Sequence, residues 1–182
     1  SVAFKGASTL FKANAKGNWK GRVLTGKADA QGSTLKIATM GKKILIKDVL
    51  VGEVWFASGQ SNMVFPMGRV PAYEELMSKA NFPLIRFFNA PTVTAVEPQD
   101  DIEGEWTLCS SQTVPGYSAV AFFFARKLQQ ELGIPIGVIK SAWGGKPVET
   151  FTSRKALNTL PGTKTLVEAA VYADANYDPA KA

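Results

Sequence analysis

Over residues 1–48 apolar and polar positions alternate in short runs, and six glycines break those runs. Leu35, Ile37 and Thr39 share one parity, Met40-Gly41-Lys42 turns the chain, and Ile44 and Ile46 resume the alternation. A two-residue period on both sides of a glycine turn predicts a hairpin of an antiparallel sheet. So short a segment cannot close a sandwich, so it reads as part of a β-domain whose partner strands lie elsewhere, beyond residue 182.

From residue 49 the pattern changes to strand followed by helix. Residues 49–57 (VLVGEVWFA) are almost continuously apolar, which predicts a strand buried on both faces of a parallel sheet. The run ends in the turn Ser58-Gly59-Gln60-Ser61-Asn62. Residues 73–80 form a short helical pattern, and residues 83–88 (PLIRFF) a second buried strand stopped by Asn89-Ala90-Pro91. Residues 92–116 are polar and irregular, with Trp106 expected to anchor them to the core. The strongest helix covers residues 118–133: Ser118 caps it, Gly133 ends it and Pro135 follows. Phe124, Leu128 and Leu132 repeat at helical spacing, widened by Val120, Ala121, Phe123 and Ala125 into a stripe that predicts packing on a sheet. A third buried strand over residues 134–139 leads to Lys140-Ser141-Ala142-Trp143-Gly144-Gly145, and a last helix over residues 165–175 precedes Asp178-Pro179. Three strands with intervening helices predict an α/β fold with a parallel sheet, divided as residues 1–48 and residues 49–182.

Composition changes this picture little: 182 residues with 46% hydrophobic and 20% charged side chains are ordinary for a globular chain. Charge changes it more. The net +6 divides into +8 over residues 1–48 and −2 over residues 49–182, so the basicity belongs to the β-segment, where lysines alternate with apolar residues as on a solvated strand face. Nucleic-acid or other polyanion binding is the weaker reading, because no Arg cluster or aromatic-basic motif accompanies the charge. No apolar stretch reaches the roughly 18 residues of a membrane span. Ser1 opens the chain without methionine or an apolar signal core, which fits a mature, a processed or an artificially trimmed N-terminus alike.

The count that bears most on chemistry is the absence of histidine. It removes Ser-His-Asp and Cys-His catalysis carried within these residues alone, and the commonest zinc ligand with it. No cofactor or metal is expected. The two small-residue turns at strand ends remain. Ligands of open α/β sheets bind at the carboxyl ends of strands. A serine in such a turn is presented as an acyl-transfer nucleophile must be, and a glycine turn lets a carbonyl oxygen approach the backbone. From spacing alone a second reading stands beside this one, namely that these residues serve only positive φ and helix capping.

The text DVLVGEVWFASGQSNM (residues 48–63) and SAVAFFFARKLQQELGIPIGVIKSAWGGKPVETFTS (residues 118–153) closely resembles the sialate O-acetylesterase family, carbohydrate acetylesterases of the SGNH (GDSL-like) superfamily. The resemblance implies an incomplete flavodoxin-like, three-layer SGNH hydrolase fold. It implies Ser61 as nucleophile, the Ser61 and Gly144 backbone N–H groups as part of the oxyanion hole, and Gln60, Asn62 and Gly145 as supports. It also implies a general-base histidine in an Asp-x-x-His-like block and a further oxyanion contributor in a Trp-x-Gln-Gly-Glu-like block, neither of which occurs in these residues. The expected partners are therefore an O-acetylated sugar and a C-terminal remainder carrying the Asp/His block, and the expected location is secreted or periplasmic. A degenerate carbohydrate-binding or scaffold module and an acetyl xylan esterase are the alternatives. Val64, Phe65, Lys146 and Phe151 depart from the family's usual residues beside the two turns and bear on substrate identity more than on reaction type.

Four further features invite other roles. Cys109, in a polar stretch without an adjacent base, reads as a semi-buried structural thiol. Asp100, Asp101, Glu103 and Glu105 lack the spacing of a calcium loop and read as solvated. Glu149, after the second turn, suits a sugar contact or a helix terminus equally. Phe122, Phe123 and Phe124 read as core, and Arg86 as reaching the sheet edge.

Overall fold

The structure, a computed structural model, describes residues 1–93 and 98–176. Part of the irregular stretch after residue 92 and the Asp178-Pro179 ending lie outside the described residues.

Strands β1 (Val2–Phe4), β2 (Ala7–Thr9), β3 (Asp29–Ala38) and β4 (Lys43–Val51) form an antiparallel sheet in the order β2-β1-β3-β4. The expected hairpin is β3–β4: Leu35 faces Ile46, Ile37 faces Ile44, and Thr39 N–H donates to Lys42 O at 2.9 Å across the turn. β4 runs on to Val51, past the boundary expected at residue 48.

The second sheet holds β5 (Glu53–Gly59), β6 (Asn81–Asn89), β7 (Trp106–Ser110) and β8 (Ile136–Ala142) in the order β5-β8-β6-β7. β5, β8 and β6 are parallel, as the sequence predicts, and β7 is antiparallel to β6. Helices α1 (Ser61–Val64), α2 (Glu74–Ser78), α3 (Ala119–Leu132), α4 (Arg154–Leu157) and α5 (Lys164–Ala175) follow or connect these strands.

Several expectations are corrected. The apolar run over residues 49–57 is not one strand, because the chain changes sheets at Gly52. A Cβ there would stand 2.0 Å from Pro135 O, and the neighbouring Glu53 N–H donates to that same oxygen at 3.1 Å. Only glycine admits so close a backbone crossing, and no apolar period reports it. Nor is β5 buried on both faces: β8 takes the central place, β5 lies at the edge, and Val54 and Phe56 stay 61% and 66% exposed.

The irregular stretch contains β7, and its residues are sorted by strand alternation. Cys109 thus enters the core from a strand and not a polar loop, at 1% exposure. Trp106 does not anchor the core; it lies on the opposite face, 46% exposed, against Phe88 at 5.9 Å between ring centres.

α3 has the predicted ends. Ser118 Oγ accepts from Ala121 N–H at 3.3 Å, and Gly133 closes the helix in the left-handed conformation, φ 67°. Its buried face is Ala119, Ala121, Phe122 and Ala125; of the expected stripe Ala121 and Ala125 are buried and Leu128 packs against the core, whereas Val120, Phe124 and Leu132 stay exposed. Phe122 sits in the core with Ile85, Phe87, Ile136 and Val138 of the sheet, and Phe123 packs at its margin. Phe124 is not core: it remains 43% exposed and meets edge strand β5 through Trp55, at 5.0 Å edge-to-face.

Candidate active site

The two turns singled out in the sequence sit side by side at the carboxyl ends of β5 and β8. The pairing that aligns them is parallel, with Ser58 opposite Ser141 and Gly59 opposite Ala142. It is prolonged by Trp143 N–H donating to Gly59 O at 3.0 Å. Gln60 adds a second tie, its Nε2 donating to Lys146 O at 3.1 Å. Gly59 takes φ 141°, a conformation open to glycine, and turns the chain directly into α1.

Ser61 is the first residue of α1 and is exposed. Gly144 lies against it: a Cβ on Gly144 would stand 3.7 Å from Ser61 Cα and 4.0 Å from Ser61 Cβ and N. Gly145 adopts φ 74° with open space around it. The structure therefore brings Gln60, Ser61, Asn62, Gly144 and Gly145 into one exposed patch. Glu149 follows in the first turn of the short 3-10 helix Val148–Phe151, at the far end of the second turn.

Lys146 belongs to the same patch. Its ammonium stands 4.9 Å from the centre of the Trp143 ring, a cation–π distance that holds one positive charge beside the glycine turn. The sequence flagged Lys146 only as a departure from family usage; its placement over Trp143 needs the turn geometry.

The other candidates lie elsewhere. Burial pushes the Cys109 thiol up to about 12, which leaves it protonated and unreactive at neutral pH. Asp100, Asp101, Glu103 and Glu105 are exposed, and the described residues contain no grouping of three or more metal-ligating side chains. Arg86 does more than reach an edge: its Nη2 pairs with Asp48 Oδ2 at 2.7 Å and its Nη1 donates to Asp48 O at 2.8 Å, joining the two sheets.

No protein-family model matches the chain. Sialate O-acetylesterases do. The rat protein is 34% identical over 139 residues, 70% of this chain and 26% of its own, and the human protein is 35% identical over 121 residues, 62% of this chain and 23% of its own. The matched part of the chain belongs to the sialate O-acetylesterase family. Among solved structures, a carbohydrate acetylesterase from Xanthomonas citri superposes with a TM-score of 0.82 at 33% identity, over 87% of this chain and 37% of its own. The chain thus spans about a quarter of the length of the curated family relatives it matches.

Proposed function

We propose that this chain is the nucleophile-bearing part of a serine-dependent carbohydrate O-acetylesterase, with an O-acetylated sialic acid as substrate. The observation that carries the proposal is the contact between the Ser61 turn and the Gly144 turn, in a chain related to sialate O-acetylesterases. Ser61 Oγ attacks the acetyl carbonyl and its proton passes to a histidine supplied from outside these residues. The N–H groups of Ser61 and Gly144 receive the oxyanion. The intermediate collapses as the C–O bond to the sugar breaks, and the same histidine returns the proton to the departing sugar oxygen. Water, deprotonated by that histidine, then releases acetate and restores the serine.

Gln60 supports the reading by tying the serine's turn to the oxyanion turn, and Asn62 and Gly145 shape the same patch. Lys146, whose ammonium stands over the Trp143 ring beside the glycine turn, supports an acidic sugar over a neutral xylan, because a positive charge there complements a sugar carboxylate. The absence of histidine favours one second reading, a sugar-binding module without catalysis. A secreted or periplasmic location accompanies the proposed substrate.

The gene product purified whole is assayed for acetate release from O-acetylated sialic acid and from acetylated xylan. Ser61→Ala is expected to lower turnover by at least about 10³-fold. Lys146→Gln is expected to raise KM for the sialic acid with little change for xylan. Sugar binding without acetate release would establish the module instead, and Ser61-dependent turnover by the 182 residues alone would refute the external histidine.

A further inference from the structure

Helix α1 carries Ser61 but has little of its own to hold it in place. It is four residues long, and no side chain caps its N-terminus. A single uncapped turn is not stable alone, so the position of Ser61 is set by what grips α1 from outside. On one side Gln60 is tied to Lys146. On the other, the contacts converge on Ser118.

The chain leaving α1 is stitched to the entrance of α3. Met67 N–H donates to Tyr117 O at 2.8 Å, Ala119 N–H donates to Phe65 O at 2.9 Å, and Pro66 and Ser118 face each other in an antiparallel bridge. Ser118 is 1% exposed, the one polar side chain among the described residues that is buried in the core. Its Oγ accepts from Ala121 N–H, which caps α3, and its own hydrogen is directed at Met63 Sδ, 3.4 Å away. A thioether has no proton to give, so Ser118 donates and Met63 accepts. Leaving a buried hydroxyl without an acceptor is costly, so this bond restrains the methionine as well as the serine. Met63 is the third residue of α1, and its Cβ lies 3.5 Å from where a Cβ on Gly59 would stand. The same side chain therefore bears on the turn that leads into Ser61 and on the cap of α3.

We propose that Ser118 is a positioning residue for Ser61 and acts through Met63. The buried hydroxyl fixes the thioether, the thioether fixes the single turn of α1, and the turn holds Ser61 against Gly144. Capping α3 needs only the oxygen of Ser118; the positioning role uses its hydrogen. The inference rests on Ser61 as the proposed nucleophile and deepens that reading without adding a contact to substrate. A displacement of about 1 Å in a catalytic group costs on the order of 10²-fold in rate, and with Gln60 and the backbone stitches intact the loss of this one restraint is expected to cost about tenfold.

The test compares variants of the complete gene product by acetate release from O-acetylated sialic acid, with rates expressed per folded molecule from circular dichroism. Met63→Leu keeps the volume and removes the acceptor. Ser118→Gly keeps a residue that N-caps acceptably and removes the donor. Each is expected to lower kcat about tenfold while KM stays within about twofold of the parent, and either carries the test if the other does not fold. The double variant is expected to be no slower than the slower single one, because both substitutions remove the same bond. A kcat within about twofold of the parent in either folded single variant would overturn the inference, as would losses that multiply in the double variant. Ser61→Ala separates this outcome from failure of the nucleophile. If Ser61→Ala is inactive while Met63→Leu is unaffected, only the positioning role falls; if Ser61→Ala retains full turnover, the nucleophile and the positioning role fall together.

Discussion

The space over Ser61 is set by a missing atom. A Cβ at Gly144 would touch Ser61 at 3.7–4.0 Å, which is ordinary packing distance, so Gly144→Ala is expected to fold normally and to intrude on the place that the proposed mechanism gives to the acetyl oxygen. Thermal unfolding should stay within about 0.5 kcal/mol of the parent while kcat/KM falls on the order of 10²-fold. Gly145→Ala should behave in the opposite sense. Nothing lies within 4 Å, but φ is 74°, so the left-handed conformation costs about 1–2 kcal/mol in stability, measurable by urea titration, and Gly145→Asn should recover much of it. Cys109 titrates from 9.0 as a free group and about 12 when folded. Between those values the unfolded chain loses the proton and the folded chain keeps it, so stability falls as pH rises, by up to about 1.4 kcal/mol per pH unit. Denaturation curves from pH 9 upward should lose this slope in Cys109→Ala. Of these residues the two glycines were legible in the sequence because a turn signal is local. Cys109 was legible only as a semi-buried thiol, because its full burial depends on β7 finding β6.

At the level of elements, helix ends were legible and helix faces only in part, since Ala121 and Ala125 of the expected stripe of α3 are buried and Phe124 is not. Ser118 and Gly133 act within one turn of themselves, so the limits of α3 can be read from the residues that make them. Ser118→Ala should cost about 1 kcal/mol of unfolding free energy, detectable as a lowered Tm. The buried face depends on where the sheet lies. Phe124 has the spacing of a core residue but projects toward edge strand β5, where Trp55 gives it only partial cover. β5 was misread for the same reason: an apolar run reports what a strand can bury, not which neighbours cover it. At Gly52 the limit is sharper still. Gly52→Ala places a methyl group 2.0 Å from Pro135 O, backbone against backbone, and should destabilise by more than about 3 kcal/mol or prevent soluble expression.

For the whole molecule, the sequence delivered two regimes and three parallel strands but not the order in which the strands pair. That order is what makes the candidate site: Ser61 and Gly144 become neighbours because β8 inserts beside β5, which no local pattern records. The Arg86–Asp48 pair, likewise invisible in the text, ties the sheets to each other. Arg86→Leu should reduce unfolding free energy by about 1–2 kcal/mol, and hydrogen exchange should show the loss at both β4 and β6. The same strand order has a consequence for synthesis. Gln60 meets Lys146 across 86 residues, so at about 5–20 residues per second the ribosome exposes the apolar run of β5 for roughly 4–17 s before its partner strand has been made. The nascent chain therefore depends on being held apart from its neighbours during that interval, and its yield in a host should follow the supply of holding chaperones more closely than the stability of the finished fold.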